Sequence, residues 1–157
     1  MQHYTAPWSR LLVVISSFAV LLCGGISGVL LWQNPAGGRW LQVLPVVLLL
    51  GAVPFVIRGY SITADAILVH RCGWTTRLPL AGLGSARAEP NAMSRSIRLF
   101  GNGGLFSFTG LFRNKALGNY RAFVTDLRRT VVLRYEKRTV VISPGEPDEF
   151  VRDLKLP

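Results

Sequence analysis

Acidic residues are scarce: only 8 of the 157 residues are Asp or Glu, and none occurs before Asp65. Cysteine is nearly as rare. Cys23 and Cys72 are the only two, so no zinc spacing and no disulfide framework can be written, which fits a reducing compartment. Two histidines, His3 and His70, are too few and too far apart for a metal set. Asp65 and Asp126 each sit at a turn, where a carboxylate bonds to nearby backbone, so no convergent pair for acid–base work is expected. His70 and Cys72 flank Arg71, but no acid nearby orients the histidine and no oxyanion donors can be named. These shortages exclude the common routes to catalysis, and no catalytic residue, metal or cofactor is expected.

Charge of either sign is missing between Leu11 and Ile57, apart from Arg39. That region holds the excess of a chain that is 50% hydrophobic. Leu11–Trp32 is a 22-residue uncharged run, about 33 Å as a helix, enough for a bilayer core of about 30 Å. Trp40–Ile57 is a second, shorter run containing Pro45 and Pro54. Trp8, Trp32, Trp40 and Tyr60 fall at the four ends, where amphipathic rings belong. Residues 33–39, rich in Asn, Pro and Gly, read as a tight turn. The expected anchor is therefore a transmembrane helical hairpin: residues 1–10 N-terminal, 11–32 first span, 33–39 turn, 40–57 second span. Arg10 and Arg58 flank its outer ends against Arg39 in the turn, which places both termini in the cytoplasm. A cleavable signal is disfavoured because the apolar run continues through Val29–Trp32, and Leu22 before Cys23 is not a lipoprotein signal. Gly24 and Gly28 form a small-xxx-small pair through which two copies could associate.

From Arg58 onward the chain reads as a separate domain, residues 58–157. Of the 18 basic residues only Arg10 and Arg39 precede it, leaving 16 against 8 acids, net +8. The apolar period becomes two. Strands are expected at 61–63, 66–71, 75–79, 85–89, 97–100, 105–111, 122–125, 130–135 and 139–142. Gly101–Gly104 reads as a loop, and 126–129 and 136–138 as hairpin turns. The glycine loop lacks the Lys-Ser or Lys-Thr pair and following helix of a phosphate loop. One amphipathic helix, Pro147–Leu156, closes the domain, with Phe150, Val151 and Leu154 on one face.

The run Ser96–Phe112, with its glycine-aromatic middle, continues through Leu117-Gly118-Asn119-Tyr120, Phe123–Asp126 and Thr139–Pro144 to Phe150. In this order the pieces resemble the bacterial pleckstrin-homology-like (PH-like) domains, in the branch where such a domain follows hydrophobic helices. The resemblance implies a mainly β domain, a barrel of two packed sheets capped by a C-terminal helix, beside a bacterial membrane; it does not imply an enzyme.

Arg95, Arg98, Arg113, Lys115 and Arg121 frame that run, interleaved with Phe106, Phe108 and Phe112. Strand alternation sends Phe106 and Phe108 into the core and leaves a basic rim. The rim is the expected contact with a protein partner or with anionic headgroups; nucleic acid is not expected. The function expected is a non-catalytic scaffold or protein-interaction module on the cytoplasmic face of the inner membrane. A sensor of anionic phospholipid headgroups is the first alternative, and a subunit of a membrane enzyme the second.

Overall fold

The computed structural model describes residues 2–33 and 39–154. The expected turn thus lies, for residues 34–38, outside the described residues, as do Lys155 and Leu156. The chain begins with a strand, β1 (Gln2–Thr5), within the segment expected to be a plain N-terminal stretch. Helices α1 (Arg10–Gln33) and α2 (Arg39–Ala52) follow and pack on each other. Ser9 caps α1, its hydroxyl accepting from the N–H of Leu12 at 3.2 Å. Pro45 lies inside α2, and Pro54 is the middle residue of a 3-10 turn, Val53–Phe55, that ends the helical segment. Ile57, expected as the end of the second span, already belongs to β2 (Ile57–Ile62).

Eight more strands and one helix complete the chain: β3 (Ala66–Arg71), β4 (Thr75–Pro79), β5 (Leu83–Ala88), β6 (Ile97–Gly103), β7 (Phe108–Asn114), β8 (Gly118–Val124), β9 (Val131–Tyr135), β10 (Thr139–Ile142) and α3 (Pro147–Asp153). They form two sheets, β1-β2-β3-β4 and β5-β9-β10-β8-β7-β6. In the first, β1 pairs antiparallel with β2, Tyr4 opposite Tyr60. The two strands that bracket α1 and α2 in sequence are therefore neighbours in space.

Three expectations need correction. Residues 126–129 do not make a hairpin: β8 lies parallel to β10, and β9 sits beyond β10, so this segment carries the chain past a neighbour before the 136–138 hairpin turns back. Gly101–Gly103 is not a loop but the end of β6, with Gly101 opposite Gly110 on β7. Gly101 (φ 108°) and Gly110 (φ 143°) adopt backbone that L side chains rarely reach, and a Cβ on either would run into the opposite strand. The turn comes later, at Gly104–Ser107. Phe106 occupies it with φ 63° and is half-buried, whereas Phe108 and Phe112 are buried. Phe106 therefore leaves the core expected for it.

Alternation on the second sheet feeds two cores. One face, with Phe123, Val131, Leu133, Val140 and Ile142, packs against Ile57, Tyr60, Ile67 and Val69 of the first sheet and is closed by Phe150 of α3. The other face, with Phe108, Phe112, Tyr120, Val124 and Val141, receives Met93 from the β5–β6 connection and Leu12 from α1. Ser16, one turn further along α1, donates to the carbonyl of Gly104 at 3.3 Å and accepts from the N–H of Phe106 at 2.9 Å. The start of α1 is thus bonded to the domain. Phe18 (65% exposed) and Leu21 (74%) face outward.

Candidate functional site

On β3 the side chains alternate, so Ile67, Val69 and Arg71 share the inward face; the first two are fully buried. A guanidinium therefore enters the mouth of the core. Arg71 Cζ lies 4.9 Å from the ring centre of Phe123 and 5.2 Å from that of Trp74. Arg121, on the same face of β8 as Phe123, places its Cζ 5.2 Å from that same ring. Two like charges thus share one buried aromatic. Burial first, and then the charge of Arg121, push the Arg71 guanidinium below its ordinary range; it stays protonated, as arginine does. Arg71 Nε is buried with no hydrogen-bond partner among the described residues. Ion pairs there are confined to Arg77–Asp65 and Arg129–Asp126, so neither cleft arginine has an acidic partner among the described residues.

These arginines line a cleft of about 1030 Å³. Its first wall is the last turns of α2, through Val47, Leu48, Gly51 and Ala52. The second is the β3–β4 hairpin, through Arg71, Trp74 and Thr76, and the third is the β6–β7 pair. The hairpin is held on the end of α2 by two backbone bonds, Cys72 N–H to Val56 O and Gly73 N–H to Pro54 O, both 3.0 Å. Phe55 meets Trp74 edge to face at 4.9 Å. Phe100 (77% exposed) and Leu111 (47%) sit opposite each other on β6 and β7 and add an apolar flank. The lining is thus mostly apolar and carries two cations without an acid.

The expected basic rim is only partly assembled. Arg121 lies in the cleft. Arg113 shares its face two residues from Leu111, exposed, between Ile97 and Asn119. Arg98 pairs with Phe112 and folds its guanidinium over Gly103, on the opposite side of the sheet. Arg95 sits in the turn before β6 with φ 53°, and Lys115 in the β7–β8 turn; both are exposed. The residues missed from the sequence are Arg71 and Trp74. The signal was present for Arg71: a charge at the inward position of a strand, two residues after Val69.

His70 points to the other face of β3. Ser61 Oγ lies 2.8 Å from both His70 Nε2 and His3 Nδ1, bridging three strands. Burial, then His3, hold the His70 imidazole below its ordinary value. Cys72 is exposed. Asp65 accepts from the Thr63 hydroxyl at 3.0 Å, and Asp126 from the Arg128 N–H at 2.9 Å, both turn roles. Among the described residues, no group of three or more His, Cys, Asp or Glu could hold a metal ion. Gly24, Gly25 and Gly28 have nothing within 4 Å of the position a Cβ would take, so the α1–α2 contact leaves them uncovered among the described residues.

The cleft can recruit an anion by charge-assisted hydrogen bonds and an apolar group by burial. Comparison with known proteins places the domain around it. No curated protein and no solved structure matches. The family model for the bacterial PH domain matches residues 58–156, covering β2 to α3 and leaving β1, α1 and α2 outside. The two sheets, the closing helix and this match establish that the chain belongs to the bacterial PH domain family.

Proposed function

We propose that α1 and α2 cross a bilayer as a helical hairpin, with both ends on the cytoplasmic face of the inner membrane. They hold a PH-like barrel of two sheets there as a non-catalytic scaffold or protein-interaction module. Domains of this family are generally non-catalytic modules. The observation that carries the reading is the β1–β2 ladder. The chain leaves a folded domain through β1 and rejoins it through β2, so helices inserted between them enter a membrane and return from one side. Its 24 residues make α1 long and apolar enough to cross, about 36 Å, and 17% of its most apolar window is buried, unlike a core helix. At 14 residues α2 is shorter, about 21 Å, and relies on the 3-10 turn to extend it. Arg10 and Arg58 at the domain end, against Arg39 between the helices, support the cytoplasmic assignment.

The interaction role is supported by β6, an edge strand whose Ile97 (70% exposed) and Leu99 (54%) lie open beside an unpaired ladder. Such an edge accepts a strand from a partner. Association of two copies through Gly24 and Gly28 belongs to the same proposal. The test is a pair of fusions with a reporter active only outside the cytoplasm. Placed after Pro157 it stays silent, and inserted between α1 and α2 it is active. The reverse pattern, or two silent fusions, refutes the hairpin.

A further inference from the structure

We infer that the cleft between α2 and the two sheets is a binding site for one anionic phospholipid. The phosphate would sit on Arg71 and Arg121, with an acyl chain along the apolar wall of α2. Three observations point the same way. Two guanidiniums converge on the ring of Phe123 with no acid among the described lining residues, so the site has uncompensated positive charge. Arg71 Nε is buried and unpartnered among the described residues, a donor that a phosphate oxygen would satisfy. The wall facing these charges is the apolar surface of α2, through Val47 and Leu48, so the cleft couples a polar floor to a helix that is apolar from Val43 to Ala52. A soluble anion would use the arginines and leave that wall bare; a neutral lipid would use the wall and leave two like charges unneutralised. An anionic lipid answers both. Its headgroup would lie at the domain end of α2, beside the Phe55–Trp74 pair.

The site differs from a diffuse attraction of the +8 domain to charged membranes. Diffuse attraction is shared among many side chains and screened within about 8 Å at physiological salt. A phosphate bonded directly by two guanidiniums in a cleft is screened less than separated surface charges and depends on two named residues. The inference rests on the proposed membrane location only for the source of the lipid, so binding is tested in detergent solution, apart from the topology fusions.

The experiment uses the full chain in a mild non-ionic detergent, with Trp8, Trp32 and Trp40 replaced by Phe so that Trp74 alone reports. The probe is phosphatidylglycerol brominated on its acyl chains, which quenches tryptophan only at short range. Saturable quenching of Trp74 is expected, retained at 0.5 M salt, and weakened about tenfold or more by Arg121→Gln and by Arg71→Gln, as for a lost charge-assisted bond. Brominated phosphatidylcholine should quench far less, and inorganic phosphate should not displace the lipid. Arg121→Gln guards against misfolding because Arg121 is exposed. Equal quenching by the two lipids, or no loss with Arg121→Gln in a folded protein, overturns the site. Displacement by inorganic phosphate overturns the lipid and assigns the cleft to a soluble anion. Lipid binding with failed topology fusions would refute the hairpin alone, and correct topology without binding would refute the cleft alone.

Discussion

Ser143 is a single hydroxyl on which two strand ends depend. It follows β10, is fully buried, and accepts from the N–H of Thr125 at 2.8 Å and that of Asp126 at 3.2 Å. Those bonds use both of its lone pairs. Its own hydrogen can go to Thr125 Oγ1 at 3.2 Å or to the Tyr60 hydroxyl at 3.3 Å. Tyr60 in turn donates to the carbonyl of Phe123 at 2.7 Å, linking β2 of one sheet to β8 of the other. Burial pushes the Tyr60 phenol up to about 12, so it remains a donor at neutral pH. Ser143→Ala removes one oxygen and no apolar contact, and orphans two N–H groups. Thr125 is fully buried and bears the full desolvation cost, roughly 1–3 kcal/mol; Asp126 is half-buried and can turn to water. A loss of about 2 kcal/mol follows, or roughly 10 °C in the melting temperature of a domain of about 100 residues. Near-ultraviolet circular dichroism of the full chain in detergent measures it, because that signal follows tertiary packing around the aromatics rather than helix content. Tyr60→Phe combined with Ser143→Ala should cost less than the sum of the two, by about 0.5 kcal/mol or more. A Ser143→Ala protein that melts within roughly 2 °C of the parent, or above it, would refute the assignment of those N–H groups to this one acceptor.

Phe150→Ala should destabilise the domain by about 3–5 kcal/mol, because its ring is fully buried and stands edge to face with Tyr4 at 4.9 Å. Chemical denaturation should show it, and a change no larger than that of the exposed Glu149→Ala would mean α3 is not packed on the core. Both Gly110 and Gly118 have positive φ, but Gly110→Ala also forces a side chain into β6 and should lower the melting temperature by more than Gly118→Ala, where a Cβ meets open space. Equal effects at the two positions would disprove the close approach of β6 and β7. Acid should loosen the first sheet: the folded domain holds the His70 pKa below its ordinary 6.5. The unfolded chain then binds that proton more readily, so the contribution is intact above about pH 6.5 and is lost as the pH falls through the lower folded value. His70→Gln should flatten the dependence of the urea midpoint on pH between 7.5 and 5; an unchanged slope would remove His70 as its source.

Elements governed by local pattern were legible in the sequence. The strands expected at 66–71, 75–79 and 139–142 coincide with β3, β4 and β10, because each is a short run rich in β-branched or apolar residues that ends at turn residues. What depends on distant pairing was not. Nothing in Gln2–Thr5 marks a strand, and its partner β2 lies beyond both helices. The glycines of β6 read as a loop because local propensity cannot anticipate that Gly101 faces Gly110 across a close ladder. The order β9-β10-β8 follows from which strand covers which face of the core, and a polar segment such as 126–129 looks the same whether it turns a hairpin or crosses over. Of the cleft, Arg121 was visible as one of several basic residues. Arg71 acquires its meaning only when α2, β6 and β8 meet in front of it.

The β1–β2 ladder also governs timing and orientation. The 51 residues from Ala6 to Val56 form, in effect, one loop between neighbouring strands. During synthesis β1 emerges first and waits for its partner, about 3–10 s at ordinary elongation rates of roughly 5–20 residues per second. The first sheet can therefore close only after both helices have been made. Once it closes, the loop enters and leaves the domain through strands about 4.8 Å apart. A domain hung from one linker swivels about it; one gripped at two adjacent points, with Ser16 bonded to the β6–β7 turn as a third, keeps a fixed face toward whatever surrounds α1 and α2.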